Sequence, residues 1–391
     1  MCLTLGNLLK RLERERSTDR RFALLMTTTN GPCREGCYNL LNQITLERLG
    51  WADRVRIWSP ADTGYFDDFP GGLSALIFAA LTASDLLEGA LHDVRPVERQ
   101  RGAAQEIYDR VFARLLREIQ VVAAGDLSLP GALWQVATGR LFGIRRLLAG
   151  AAAEFARVRA ARAMPTVLVV GEVYVRCDAF ANNGIVDQLE SRGLRARVAP
   201  LGEWIEYSDL SARSSSRGFD FAARLSSAVQ RRIRDLCHTA VARALGWPAR
   251  PEVRHSLEAA APYLRTALDG ESILTIGGPV DDWRRGRIDA VLSVGPLECM
   301  PNKIAEAQLF HAAEKEGLLS LTLPLNGDPA DAGALDNFAF AVHSRFAAGR
   351  LHSGNPMERI NRLDTRVPAP RRGCAAPGAA GRPASFHASR E

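Results

Sequence analysis

Lysine is nearly missing from this chain of 391 residues. Lys10, Lys303 and Lys315 are its only lysines, so the formal charge of +6 rests almost wholly on arginine. Arginine bias of this kind follows genomic base composition, and no basic stripe interleaved with aromatics accompanies it, so a nucleic-acid partner is not expected. Long apolar runs are absent too: no stretch reaches the roughly eighteen residues of a membrane span. The most apolar, Leu73–Ala83, is followed by Asp85 and Glu88 and reads as a buried helix. The opening Met1-Cys2-Leu3-Thr4-Leu5-Gly6 lacks the charged-then-apolar order of a signal peptide. No membrane partner is expected, and a cytoplasmic location is the default. The phosphate loop GxxxxGK[ST] is missing, and Gly277-Gly278-Pro279 lacks the GxGxxG spacing. The seven cysteines, odd in number and irregularly spaced, form neither a disulfide framework nor a CxxC zinc ribbon.

What is present is globular in composition, 47% hydrophobic and 24% charged, with enough length for two or three domains. Two turns stand out: Asn30-Gly31-Pro32-Cys33-Arg34-Glu35-Gly36 and Val294-Gly295-Pro296-Leu297-Glu298-Cys299-Met300-Pro301. Each follows an apolar run that reads as a strand (Phe22–Thr28, Ile288–Val294), and each precedes a helical pattern. Helix N-terminal N–H groups at such a place favour thiolate over thiol. Two similarly built turns, separated by most of the chain, point to one ligand shared between two lobes, a metal ion or an iron–sulfur cluster. The alternative is that each cysteine is a small buried residue in a tight turn.

Apolar periodicity predicts a helix over Leu3–Arg16, a helix from the Cys33 turn through Leu49, a strand at Val55–Trp58 and a nearly all-helical stretch from Gly71 to Arg162. Within it, Ile107, Val111, Leu115, Ile119 and Val122 form a stripe. After Pro165 the texture alternates. Strands are expected at Thr166–Gly171, Arg195–Ala199, Ile288–Val294 and Leu318–Leu323, and helices at Asn183–Arg192, Phe219–Leu245, Lys303–Glu316 and Leu335–Phe346. An apolar run at Ile273–Ile276 is left without an assignment. The expectation is an α/β fold of two lobes, parallel sheets flanked by helices. Residues 1–163 would be a helix-rich lobe carrying Cys33, 164–350 a lobe carrying Cys299, and 351–391, with Cys374, a disordered tail.

Other polar groups cluster after strands. Glu172, Arg176, Asp178 and Asn182 follow Thr166–Gly171, where an arginine suits a carboxylate, phosphate or thioester-bearing ligand. A structural salt bridge from Arg176 to Glu172 or Asp178 is the competing reading. Cys37 is read as a packing residue, with a ligand or resolving thiol as its alternative. Cys177 is placed at a strand end facing the site, Cys237 in the core, and Leu325-Asn326-Gly327-Asp328-Pro329 in a turn.

These segments carry a resemblance. Thr27 to Arg34, Gly171-Glu172-Val173-Tyr174-Val175-Arg176, the long segment Val294 to Gln308 and Leu325 to Pro329 are similar to signatures of the 2-hydroxyacyl-CoA dehydratase superfamily, specifically its large CoA activase-related members. The resemblance runs from about Cys2 to Phe346. It implies a two-lobed dehydratase-subunit-like fold with a [4Fe–4S] cluster between lobes and an acyl-CoA substrate. An ATP-dependent activase, or the upstream half of the same family protein, would be the partner that supplies an electron. Carried over, Cys33 and Cys299 are metal ligands, and Cys2 matches the last cysteine of an upstream element, which makes it the third. Glu172 and Arg176 fall at cofactor-binding positions. The chain begins inside that upstream motif, so the resemblance implies a shortened relative whose first lobe is incomplete. Cys37 departs from the family pattern. The expected function is cluster-mediated one-electron chemistry on a CoA thioester, a lyase or an activase-related component. Its alternatives are an electron-transfer or regulatory iron–sulfur module and a truncated remnant without turnover.

Overall fold

Strands form where the sequence runs β-branched and apolar, helices where apolar residues recur every three or four positions. In the computed structural model the described residues are 2–29, 32–60, 69–125, 127–215, 221–268 and 270–352. For Cys2, Leu3, 212–215, Ala222 and 350–352 only the backbone is described. Cys374 and the expected tail beyond His352 lie outside the described residues, as do Asn30 and Gly31.

The chain opens with helix α1 (Cys2–Arg14), strand β1 (Phe22–Leu25), helix α2 (Tyr38–Arg48) and strand β2 (Val55–Trp58). The two strands pair in parallel, Phe22 opposite Val55 and Leu25 opposite Trp58. The first strand is shorter than expected. Beyond Leu25 only isolated bonds continue it, Met26 N–H to the Trp58 carbonyl and Thr28 N–H to that of Pro60.

A helical bundle follows: α3 (Gly71–Val94), α4 (Ala103–Ala123), α5 (Leu129–Ala137) and α6 (Ile144–Val158). In the predicted stripe, Ile107, Val111 and Leu115 are buried. Helix α3 is long and apolar enough to cross a membrane by length and composition, and Leu76, Phe78, Ala79, Ala83 and Leu87 are buried in the bundle core.

The remainder is β3 (Thr166–Gly171), α7 (Val173–Cys177), α8 (Ile185–Ser191), β4 (Arg195–Val198), α9 (Leu201–Ser215), α10 (Phe221–Leu245), α11 (Val253–Ala260), α12 (Ser272–Arg284), β5 (Ala290–Gly295), α13 (Met300–Glu316), β6 (Ser320–Pro324) and α14 (Ala332–His352). The bundle core also takes in Ile233, Leu236, Cys237, Val241 and Leu245 of α10. The four strands make an all-parallel sheet in the order β4-β3-β5-β6. Leu168, Val170 and Val291 face one covering layer, and Val167, Val169, Leu292 and Val294 the other. Burial on both faces explains why β3 and β5 read as continuous apolar runs. The protein is thus mixed α/β with parallel sheets flanked by helices.

The unassigned run Ile273–Ile276 lies within α12, in which Gly277 and Pro279 also sit. Gly277 is a contact residue: a Cβ there would stand 1.9 Å from the Ser256 carbonyl oxygen, so its bareness lets α11 and α12 touch.

Candidate metal centre

In a 2-1-3-4 parallel sheet the chain leaves the first strand toward one edge and then returns to build the other. A crevice opens at the carboxyl ends of the two central strands. Here those strands are β3 and β5, ending in Gly171 and Gly295. Two glycines make the ends fit. A Cβ on Gly171, at φ +110°, would stand 2.0 Å from the Val294 carbonyl oxygen, and one on Gly295 would stand 2.7 Å from Asn302 Nδ2 and 3.3 Å from Glu172 Cβ. The backbones therefore close up, with Glu172 N–H donating to the Val294 carbonyl at 2.9 Å, and Glu172 is brought beside the turn that carries Cys299.

Cys299 is the N-cap residue of α13, without a side-chain capping bond. Asn302 is buried, its Oδ1 accepting from Ser293 Oγ at 3.1 Å and its Nδ2 donating to Glu306 at 3.2 Å. The turn after β6 joins in, Asn326 Oδ1 accepting from Leu297 N–H at 3.0 Å. On the other side Cys33 caps a single 3-10 turn over Arg34–Cys37, its sulfur accepting from Glu35 N–H at 3.4 Å. Thr27 Oγ1 donates to the Glu35 carboxylate at 2.5 Å. Gly36 sits where a Cβ would stand 2.8 Å from the Thr29 carbonyl oxygen.

The two turns meet. Arg34 Nη2 donates to the Glu298 carbonyl at 2.5 Å, and Nη1 lies 3.4 Å from its carboxylate. Pro32 lies against Gly270, 3.5 Å from where a side chain there would begin. The Asn7 side chain of α1 lies near the Tyr174 hydroxyl. Cys33 and Cys299 are both half-buried, and close enough that Cys33 raises the cost of ionising Cys299. Burial, together with Glu172 and Glu271, pushes the Cys299 thiol up to about 12, and burial likewise raises Cys33. The Glu35 N–H bond to the Cys33 sulfur and the Asn302 N–H near that of Cys299 pull the other way, but desolvation outweighs them. The thiolate preference expected from the helix N-termini is therefore overturned: without a cation both groups stay thiols, and a metal binding there would release their protons.

Beneath the crevice lies a charged pair the sequence did not disclose. Arg176, buried, donates from Nη1 to the Gly171 carbonyl at 2.9 Å and to Glu271 at 2.8 Å. Its partner is thus Glu271, at the head of α12, rather than Glu172 or Asp178. Glu172 instead caps α7, accepting from Tyr174 N–H at 3.2 Å and Val175 N–H at 2.7 Å. Burial pushes the Glu271 carboxyl up, and Arg176 holds it partly back. A cavity of about 10 Å³, room for one water, is lined by Arg176, Glu203, Trp204 and Glu271 among others. Arg176 Nε is buried without a partner, and Glu203 is raised to about 7 by burial.

The remaining cysteines divide. Cys177 is not at a strand end: capping by Glu172 turns the chain into α7 directly after Gly171, and Cys177 emerges exposed at its last residue. Cys37 does not pack but is exposed, because the short turn presents it outward. Cys237 is in the core as expected. Two thiols in adjoining turns, one with an N–H on its sulfur, suit a sulfur-seeking metal centre, while a cluster takes three or four ligands. Among the described residues no group of three or more His, Cys, Asp or Glu gathers to hold a metal ion. The side chain of Cys2 lies outside the described residues. No protein-family model, curated protein or solved structure matches the chain.

Proposed function

We propose that this chain is an iron–sulfur protein related to the 2-hydroxyacyl-CoA dehydratases and their activase-related relatives, with the two-lobed dehydratase-subunit-like fold as its frame. Cys33, Cys299 and Cys2 are its proposed cluster ligands. One observation carries the reading: two cysteine turns far apart in sequence meet at the switch point of the larger sheet, tied by Arg34 to Glu298. A [4Fe–4S] cluster, when bound, supplies single electrons and, at an open iron, Lewis acidity toward a thioester carbonyl. The chain's own groups have separate tasks. Cys33 and Cys299 bind from opposite sides, each losing a proton to do so. Glu35 orients the Cys33 sulfur through its backbone N–H, and Cys299 stands at the N-cap of α13. The Arg176–Glu271 pair fixes the end of β3 under the site, and Glu172, its carboxylate capping α7, borders it. The electron comes from an ATP-dependent activase or an upstream half of the same family.

Anaerobic reconstitution with iron and sulfide tests this. About four irons per chain are expected, with an EPR signal on reduction that Cys33→Ala and Cys299→Ala abolish and Cys237→Ala leaves. No bound iron, or equal behaviour of all three variants, overturns the ligand assignment. A reducible cluster in a protein that binds no acyl-CoA replaces the dehydratase reading by an electron-transfer module.

A further inference from the structure

Away from the cysteine turns, α4, α5 and α6 enclose a groove of about 910 Å³, within the range of small-molecule sites. Its wall holds Trp134, Phe142, Arg140, Arg145 and Arg146. Arg140 stacks on the Trp134 indole at 4.5 Å, and the indole is still 49% exposed. Arg145 and Arg146 occupy the first turn of α6, which has no acidic residue. Cations there oppose the helix dipole and crowd the free N–H groups, an arrangement that a bound anion relieves. None of the three arginines has a carboxylate partner among the described residues. The neighbouring acid, Glu118, is already paired with Arg114 at 2.8 Å. The turn that delivers them is strained: Leu141 and Phe142 hold φ of +47° and +56°, between Gly139 and Gly143 at +71° and +90°. Side-chain-bearing residues adopt this region at a cost and cluster in it at ligand sites.

We propose that this groove binds a nucleoside di- or triphosphate, its base stacked on Trp134 and its phosphates held by Arg145, Arg146 and the N-terminal amides of α6. Two cations without carboxylate partners among the described residues, Arg145 and Arg146, match the charge of adjacent phosphates, arginine forks suit phosphate oxygens, and an indole 49% exposed suits a base. The phosphate-loop motif is absent because the cations and amides come from a strained interhelical turn instead. The site does not rest on the cysteine centre.

Calorimetric titration of the full-length protein with ADP, ATP, coenzyme A and inorganic pyrophosphate tests it. ADP or ATP is expected to bind with a micromolar Kd that weakens as salt rises. Replacing Arg145 and Arg146 together by Ala weakens binding about tenfold or more, and Trp134→Ala by at least about fivefold. Lysine at both arginine positions keeps the charge and restores part of the affinity, which separates loss of binding from loss of fold. Arg110→Ala, on α4 outside the groove, changes nothing. Coenzyme A competing with ADP identifies its ADP end as the natural ligand, and ADP bound without such competition identifies the free nucleotide; either upholds the site. No binding at millimolar nucleotide, pyrophosphate binding as tightly as ADP, or indifference to the three substitutions overturns it.

Discussion

Cys33 leaves a two-stranded sheet whose buried core is Leu12, Leu46, Trp51 and Val55, whereas Cys299 leaves β5, buried at every position and covered on both faces. The smaller unit also leaves Leu25, Leu40, Leu41, Ile44 and Leu49 exposed. A two-stranded sheet is marginal by itself, so its order depends on contacts such as those of Arg34 with the Glu298 turn, Pro32 with Gly270 and Asn7 with Tyr174 of α7. A site shared between a strong and a weak platform takes its position from the strong one and its mobility from the weak one.

The sharpest way to break this contrast is Gly171→Ala. The added carbon would meet the Val294 carbonyl oxygen at 2.0 Å in a left-handed backbone, inside the strong platform, and the cost is expected to reach about 4 kcal/mol, the upper end for one substitution. Gly36→Ala, with its contact at 2.8 Å in the weak platform, should cost less because the turn can shift. Thermal melts of the two variants rank them, and equal losses would deny the contrast.

Next in size is Leu46→Ala, at a site 1% exposed. It should cost about 3 kcal/mol, but only within the small unit. Hydrogen exchange is expected to lose protection over residues 22–58 and keep it in β3 and β5. Global loss of protection would mean the two platforms fold as one.

A smaller effect distinguishes them by pH. Burial raises Glu203 to about 7 and Asp85 to about 6, so the folded protein holds protons there that the unfolded chain has released. Their contribution is greatest below the ordinary carboxyl range and is lost as pH rises through about 7. Melting temperature should therefore fall across that window, less steeply in Glu203→Gln. Coincident slopes would show that Glu203 is ionised in the fold.

Smallest is Arg34→Ala. Arg34 and Glu298 are 54% and 78% exposed, so stability should change by less than about 1 kcal/mol, while thiol-reagent modification of Cys33 and Cys299 accelerates as the turns part. Unchanged reactivity would deny the tie.

Strands such as Val55–Trp58 and Thr166–Gly171 were legible because burial on a pleated surface selects β-branched residues locally. The Cys33 and Cys299 turns were legible for a similar reason, since glycine and proline mark them in the chain itself. Helices α7, α9, α11 and α12 were not. Helix α7 depends on a side-chain cap, and α12 contains Gly277 and Pro279, poor helix formers kept by close packing against α11. Arg176 was visible as a polar residue after a strand, but Glu271 lies 95 residues away and carried no signal of its own.

The sequence by itself determined where the chain goes apolar, where it turns, and that Cys33 and Cys299 lie in turns between a strand and a helix, because each of these follows from neighbours in the chain. The tertiary structure alone decided that the Cys33 and Cys299 turns meet through Arg34 and Glu298, that Arg176 answers Glu271, and that burial raises both thiols. Those outcomes depend on which distant groups share a low-dielectric space and on how much water folding removes from around them.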